Sequence, residues 1–221
     1  VSSVYSLMQF FDCHTHSISA NAYLSILQKE ALVLQRWHSV GLHPWDTEEY
    51  VLSEAKSLVV NSINEFTVAI GECGIDGLRG VSMEMQYKLF LEQAQLAEEI
   101  KLPVIIHCVK GWEWILKAYK VVQPKQKWIF HGFTKRNLLP QVLACPQIQV
   151  SIGASILKEN ADNSWIREIP DDRLLLETDT ADVDIKTIYE IVSITKGISL
   201  RVLLEHIHTN FKQTFTKWHN G

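Results

Sequence analysis

Short runs rich in β-branched and aromatic residues alternate with longer amphipathic stretches along almost the whole chain, and no other feature narrows its possible folds so far. The β-rich runs lie at 10–16, 31–35, 39–43, 67–72, 104–107, 128–131, 148–152 and 174–178. Helical spacing occupies 23–30, 48–63, 82–100, 111–121, 137–143 and 184–195, with a closing helix over 200–209. Strands alternating with helices imply βαβ units, hence an α/β fold around a parallel sheet. With 221 residues and no repeat, low-complexity tract or linker, residues 1–221 read as one domain, the size of a TIM-type (β/α) barrel. One junction breaks the pattern. Only Arg36, Trp37 and His38 separate 31–35 from 39–43, far short of the roughly dozen residues a parallel crossover takes. The expectation is a barrel shortened or distorted around its second strand, with seven strands or an irregular eighth.

Composition then removes several classes of function. A chain 47% hydrophobic and 21% charged can bury a core, which excludes a disordered segment. A formal charge of −4 and a pI near 6.1 give no global basic field, so a nucleic-acid substrate would need local positive charge. No apolar run approaches the roughly 18 residues of a membrane span, and the first eleven residues carry no basic region or long apolar stretch typical of a secretion signal. Cys13, Cys73, Cys108 and Cys145 lie far apart without Cys-x-x-Cys spacing, which predicts reduced thiols and a cytoplasmic setting. Nothing in the sequence points to a protein partner.

The metal-capable residues fall where the β-rich runs stop. His14 and His16 stand two apart on the first run, so their side chains share a face. Glu72 follows Val68-Ala69-Ile70-Gly71, His107 follows Val104-Ile105-Ile106, and His131 follows Trp128-Ile129-Phe130. Asp179 follows Leu174 to Thr178. In a parallel barrel these stops converge on the C-terminal face, where barrel enzymes keep their active sites. A lone histidine at a strand end is most often a hydrogen-bonded structural residue; six metal-capable residues at the stops of one pattern point to a metal site. Imidazole with carboxylate suits Zn, Mn or Fe, whereas an all-oxygen set favours Mg or Ca. Four imidazoles and two carboxylates exceed the needs of one catalytic Zn. The cofactors expected are therefore two divalent metal ions, with Zn, Mn, Fe and Mg all open. His14, His16 and Asp179 would hold one, His107 and His131 the other, and Glu72 would bridge.

The segments Phe11-Asp12-Cys13-His14-Thr15-His16, Val40-Gly41-Leu42-His43-Pro44-Trp45 and Gly71-Glu72-Cys73-Gly74-Ile75-Asp76 occur in that order. They are followed by Pro103 to His107, Phe130-His131-Gly132-Phe133, Ser151-Ile152-Gly153, Leu176-Glu177-Thr178-Asp179-Thr180 and a final Thr209-Asn210-Phe211 run. Together they resemble the TatD family of metal-dependent deoxyribonucleases, within the amidohydrolase superfamily, over nearly the whole chain. The resemblance implies the same six metal ligands, a substrate-pocket place for His43, and Asp179 with Glu72 as the catalytic carboxylates, Asp179 orienting or deprotonating the attacking water. The chain departs from the family pattern at 108–111 and 180–182, both in loops that would meet substrate.

Loops following the strands carry Arg79, Lys110, Lys135, Arg136 and Lys158, with Trp45, Trp112 and Phe133 among them. Cations for phosphates and rings for bases are what a single-stranded nucleic-acid groove uses, which makes Lys110, Lys135 and Arg136 substrate-binding candidates beside His43. Glu177, two before Asp179, can share its face and support the site or serve as a plain structural carboxylate. Strand alternation turns Cys13, Cys73 and Cys108 toward the helices. The leading reading is a metal-dependent hydrolase cleaving DNA phosphodiester bonds with a metal-activated water. The alternative is hydrolysis of a small amide, ester or lactone, since metal barrels host many chemistries; a binding protein that kept the site would have lost a ligand.

Overall fold

The computed structural model of the protein describes residues 9–17, 22–28, 36–46 and 54–219. Among the described residues eight strands form one sheet in chain order: β1 Phe10–Thr15, β2 Ala22–Gln28, β3 His38–Val40, β4 Thr67–Asp76, β5 Val104–Val109, β6 Trp128–Phe130, β7 Ile148–Ile152 and β8 Leu174–Leu176. Every neighbouring pair is parallel. The sheet curls until its ends meet. Just beyond β8, Asp179 donates its N–H to the carbonyl of His14 and accepts from the N–H of His16, each at 3.0 Å, in a parallel bridge with Thr15. The fold is a TIM-type barrel.

The second strand carries the irregularity. β1 and β2 pair with two register shifts, and β2 reaches β3 through only Leu27 with His38 and Gln28 with Ser39. Residues 23–30, spaced for a helix, instead contain β2. Leu24, Ile26 and Leu27 satisfy a helical period or an alternating one equally well, and pairing with Phe11, Asp12 and Thr15 decides between them. The run at 31–35 lies outside the described residues. That at 39–43 shortens to β3, because Gly41, Leu42 and His43 leave the sheet at its end.

The helices are α1 Ala55–Ser62, α2 Met83–Ile100, α3 Trp112–Val122, α4 Leu139–Leu143, α5 Ile185–Lys196, α6 Leu200–Thr214 and α7 Thr216–His219. Ser82, Asp184 and Ser199 cap α2, α5 and α6 by accepting from Met85, Lys186 and Val202 N–H groups that have no carbonyl partner in the first turn. α5 ends on Gly197 in the left-handed conformation, φ 70°. Leu89, Phe90, Ala94, Leu96 and Ala97 form the buried face of α2. Fully buried Trp128 of β6 meets Phe90 and Tyr119 edge-on, which ties the sheet to α2 and α3. Among the described residues no helix is long and apolar enough to cross a membrane.

β4 runs four residues past the 67–72 segment. Cys73, Gly74, Ile75 and Asp76 continue the ladder against Ile106, His107, Cys108 and Val109. Gly74 makes this possible. Its φ is 152°, and a Cβ there would lie 2.0 Å from the carbonyl oxygen of His107, so any side chain would push β4 off β5.

Candidate metal centre

The C-terminal halves of β1, β4 and β5 and the residues just beyond β1, β6 and β8 bring His14, His16, Glu72, His107, His131 and Asp179 together around one carboxylate. Glu72 is its centre. Its Oε2 lies 3.3 Å from His14 Nε2 and 3.6 Å from His16 Nε2. Its Oε1 lies 2.6 Å from His131 Nε2, 2.7 Å from His107 Nδ1 and 3.2 Å from His43 Nε2. Asp179 Oδ1 stands 3.6 Å from both His14 Nε2 and His16 Nε2. Three donor sets result, each with ligand atoms within 4.8 Å of one another: His14 with His16 and Asp179, His14 with Glu72 and His131, and His43 with Glu72 and His107. Each can hold a metal ion. His43, placed in the substrate pocket on sequence grounds, has the position of a donor as well.

Two observations test the fit to a cation. Burial alone would push the Glu72 carboxyl up, yet the His131 charge and hydrogen bonds from His107 and His131 hold it well below the usual carboxylate range. His14, with no exposed surface, has neither ring nitrogen in a hydrogen bond among the described residues. A buried imidazole left in that state is costly, and a cation beside Nε2, Glu72 and Asp179 would satisfy it. The residues fit a divalent metal.

Surrounding groups aim these donors. Fully buried Glu177 accepts from Ser151 Oγ and, at 2.5 Å, from the Gly132 N–H, while its Oε1 faces His131 Nδ1 at 3.6 Å. It thus stands behind a donor, the supporting place its spacing from Asp179 suggests. Asp12, equally buried, accepts from the Thr178 N–H at 3.1 Å and from Thr178 Oγ1 at 2.6 Å; burial pushes its carboxyl up to about 7. Asp76, which the sequence reading passes over, accepts from Trp45 Nε1 at 2.6 Å and faces His107 Nε2 at 3.2 Å. Two buried glutamines of α2 hold the neighbouring loops: Gln93 pairs with both backbone groups of Leu42, and Gln86 with Asp76, Arg79 and Val81. Their spacing of seven, two turns on an otherwise apolar face, is the sequence signal that marks them.

A cavity of about 660 Å³ opens over the donors, lined by His16, Gly41, Leu42, His43, Trp45, Asp46, Glu72, His107, His131, Asp179 and Thr180. Lys110 and Lys135 are exposed on loops, and Arg136 at the start of a short 3-10 turn, all outside this lining. Arg136 is engaged by Glu168 at 3.0 Å and Asp162 at 3.8 Å. Arg79 lies 4.5 Å from the centre of the Trp45 ring, beside the cavity wall. Of the three aromatic candidates only Trp45 lines the cavity. Trp112 is buried and donates to Gln141, and Phe133 is buried against Trp165. The donor sets contain no cysteine, but the Cys13 thiol faces Glu177 at 4.0 Å instead of the helices.

Known proteins resemble this chain in sequence and in fold. A curated protein of Erwinia amylovora named "3′-5′ ssDNA/RNA exonuclease TatD" is 32% identical over 171 residues, 75% of this chain and 65% of that protein. Its namesake in Erwinia tasmaniensis is 36% identical over 150 residues, 65% and 57% of the two chains. The chain therefore spans about three fifths of the length of these relatives. A solved TatD homologue from Escherichia coli K12, YjjV, superimposes with a TM-score of 0.78 at 19% identity, covering 94% of this chain and 98% of that one. A TatD family hydrolase from Entamoeba histolytica gives 0.77 at 18%, covering 95% and 98%. Residues 6–216 match the family model of TatD-related DNases, and the chain belongs to that family.

Proposed function

We propose that this protein is a metal-dependent nuclease hydrolysing phosphodiester bonds of DNA, built as one barrel domain and working in the cytoplasm. One observation carries the reading. The two oxygens of Glu72 face different imidazole sets, His14 and His16 on one side and His43, His107 and His131 on the other. That division supports two divalent cations, Zn, Mn, Fe or Mg, one held by His14, His16 and Asp179 and one by His107 and His131, with Glu72 between them. Such a pair, when bound, supplies a nucleophilic water at neutral pH and offsets charge on the phosphoryl oxygens.

The chain's own groups do the rest. Asp179 lines the cavity with its side chain about one third exposed, so its carboxylate is placed to take the proton of an attacking water. Its backbone is pinned to β1 on both sides, which keeps that oxygen in register with His14 and His16. Trp45 offers a half-exposed ring beside the reacting centre, suited to a nucleobase, and Arg79 adjoins it as a cation for phosphate. Lys110 and Lys135 extend this charge outside the cavity. The free thiols support a reducing compartment. The action of the curated relatives makes a single strand with a free 3′ end the first substrate to try.

The test is a time course on single-stranded and duplex DNA with metal content measured on the same sample. Cleavage that needs bound metal is expected. Metal-dependent turnover of an ester or lactone with no cleavage of any nucleic acid would replace this reading with the small-substrate alternative.

A further inference from the structure

Asp76 serves two masters through one oxygen. Its Oδ2 lies 2.6 Å from the indole Nε1 of Trp45 and 3.2 Å from Nε2 of His107, while its Oδ1 accepts from the Leu78 N–H at 2.8 Å. The carboxylate is buried, and both backbone groups of Asp76 are clamped by the side chain of Gln86, so it is a fixed point. The indole it holds is about half exposed and lines the cavity; the imidazole it holds turns its other nitrogen to Glu72. The two rings also meet each other edge-on, with centres 5.6 Å apart.

We propose that Asp76 is a positioning residue that locks the pocket wall and the metal site to each other, fixing Trp45 and His107 through the same carboxylate oxygen. This rests on the metal-centre reading above. The chemistry is direct. An imidazole that ligates a cation through one nitrogen gains basicity and a fixed ring plane when its other nitrogen donates to a carboxylate. With Nε2–H committed to Asp76, Nδ1 of His107, the nitrogen hydrogen-bonded to Glu72, would release its proton to hold the cation. The Trp45 N–H satisfies the same oxygen from the solvent side, so the indole cannot swing without loosening the group that aims His107.

The experiment titrates metal-stripped full-length protein with Zn²⁺ against a coloured chelator, which reads the site without reference to turnover. Asp76→Asn keeps the shape and removes the charge; Zn²⁺ should bind about 10–100-fold more weakly, the usual consequence of losing such a partner. Asp76→Glu, which keeps the charge but moves the oxygen, should shift affinity in the same direction and stands in if Asp76→Asn does not fold. In a His107→Ala background Asp76→Asn should change Zn²⁺ affinity by less than about twofold, because the effect travels through His107. Trp45→Phe, which deletes the N–H alone, should weaken Zn²⁺ binding severalfold, less than Asp76→Asn does, and raise KM for oligonucleotide more than it lowers kcat; Zn²⁺ affinity untouched by Trp45→Phe would overturn the coupling. Zn²⁺ affinity unchanged in both Asp76 variants, or equally weakened with and without His107, overturns the proposal. A parent protein that binds no Zn²⁺ at all would instead sink the metal-centre reading, and this one with it.

Discussion

Gly74→Ala is the substitution whose cost can be worked most directly from the geometry. The new methyl would stand 2.0 Å from the carbonyl oxygen of His107 and 2.9 Å from its carbonyl carbon, where real Cβ atoms essentially never come closer than 3.0 Å to anything. β4 and β5 would have to part by about 1 Å, which loses up to about half of the contact energy along that edge. Forcing a side chain onto a φ of 152° costs roughly 1–3 kcal/mol, overpacking a similar amount, and a weakened ladder hydrogen bond about 1 kcal/mol more. Together these come to roughly 5 kcal/mol, or a fall in melting temperature of about 10–20 °C for a domain of this size. Gly197→Ala is the control: φ is again positive, 70°, but nothing lies within 4 Å, so only left-handed strain of about 1 kcal/mol and a shift of roughly 2–4 °C remain. Thermal melts followed by circular dichroism measure both. Because the displaced oxygen belongs to His107, Gly74→Ala should also weaken Zn²⁺ binding, and Gly197→Ala should not. Equal, small melting shifts in the two variants would refute the close-approach argument.

Asp179→Asn should abolish turnover while leaving oligonucleotide binding within a few-fold, since the phosphate-contacting groups lie elsewhere; near-normal turnover in a steady-state assay removes Asp179 from the mechanism. His131→Ala and His107→Ala should keep the parent circular dichroism spectrum and lose Zn²⁺ affinity, whereas collapse of both folds would make these structural histidines. Chelation should silence the proposed nuclease activity and lower the melting temperature, with a saturating cation at about 100 times its Kd returning roughly 2.7 kcal/mol of stability; a melt indifferent to chelator counts against a resident metal. Arg136→Gln should barely change KM for DNA, because Glu168 and Asp162 already engage that guanidinium, while Lys135→Gln should raise it and flatten the salt dependence.

The proposed donors were legible as a group because each stands at the end of an apolar run of sequence, and a parallel barrel carries such runs toward one face, even where the strands of Glu72 and His107 continue beyond them. Period and chain order therefore sufficed for His14, His16, Glu72, His107, His131 and Asp179 to be grouped. What stayed hidden depended on contacts between distant segments. Leu24, Ile26 and Leu27 suit either period, so β2 reads as a helix until Phe11 and His38 pair with it. Asp76 lies beyond two glycines that look like a strand end, and only the tight fit of Gly74 against His107 shows the strand continuing. The cationic loops were visible as charges but not as neighbours: nothing local to Arg136 says that Glu168 will reach it, or that Trp112 will turn inward to Gln141.

The bridge that closes the barrel has a consequence for how the molecule comes into being. Asp179 meets His14 and His16 through its backbone at the same point where its side chain joins theirs, across a sequence separation of 164 between Thr15 and Asp179. The last ladder to form is thus also the last donor to arrive. A nascent chain on the ribosome can pair β4 with β5 and assemble Glu72 with His107 and His131 long before it can offer a complete set. Contacts between segments so far apart in the chain are slow to find, so capture of a cation by His14, His16 and Asp179 would report ring closure itself, and the ion would act as a latch on a closed barrel.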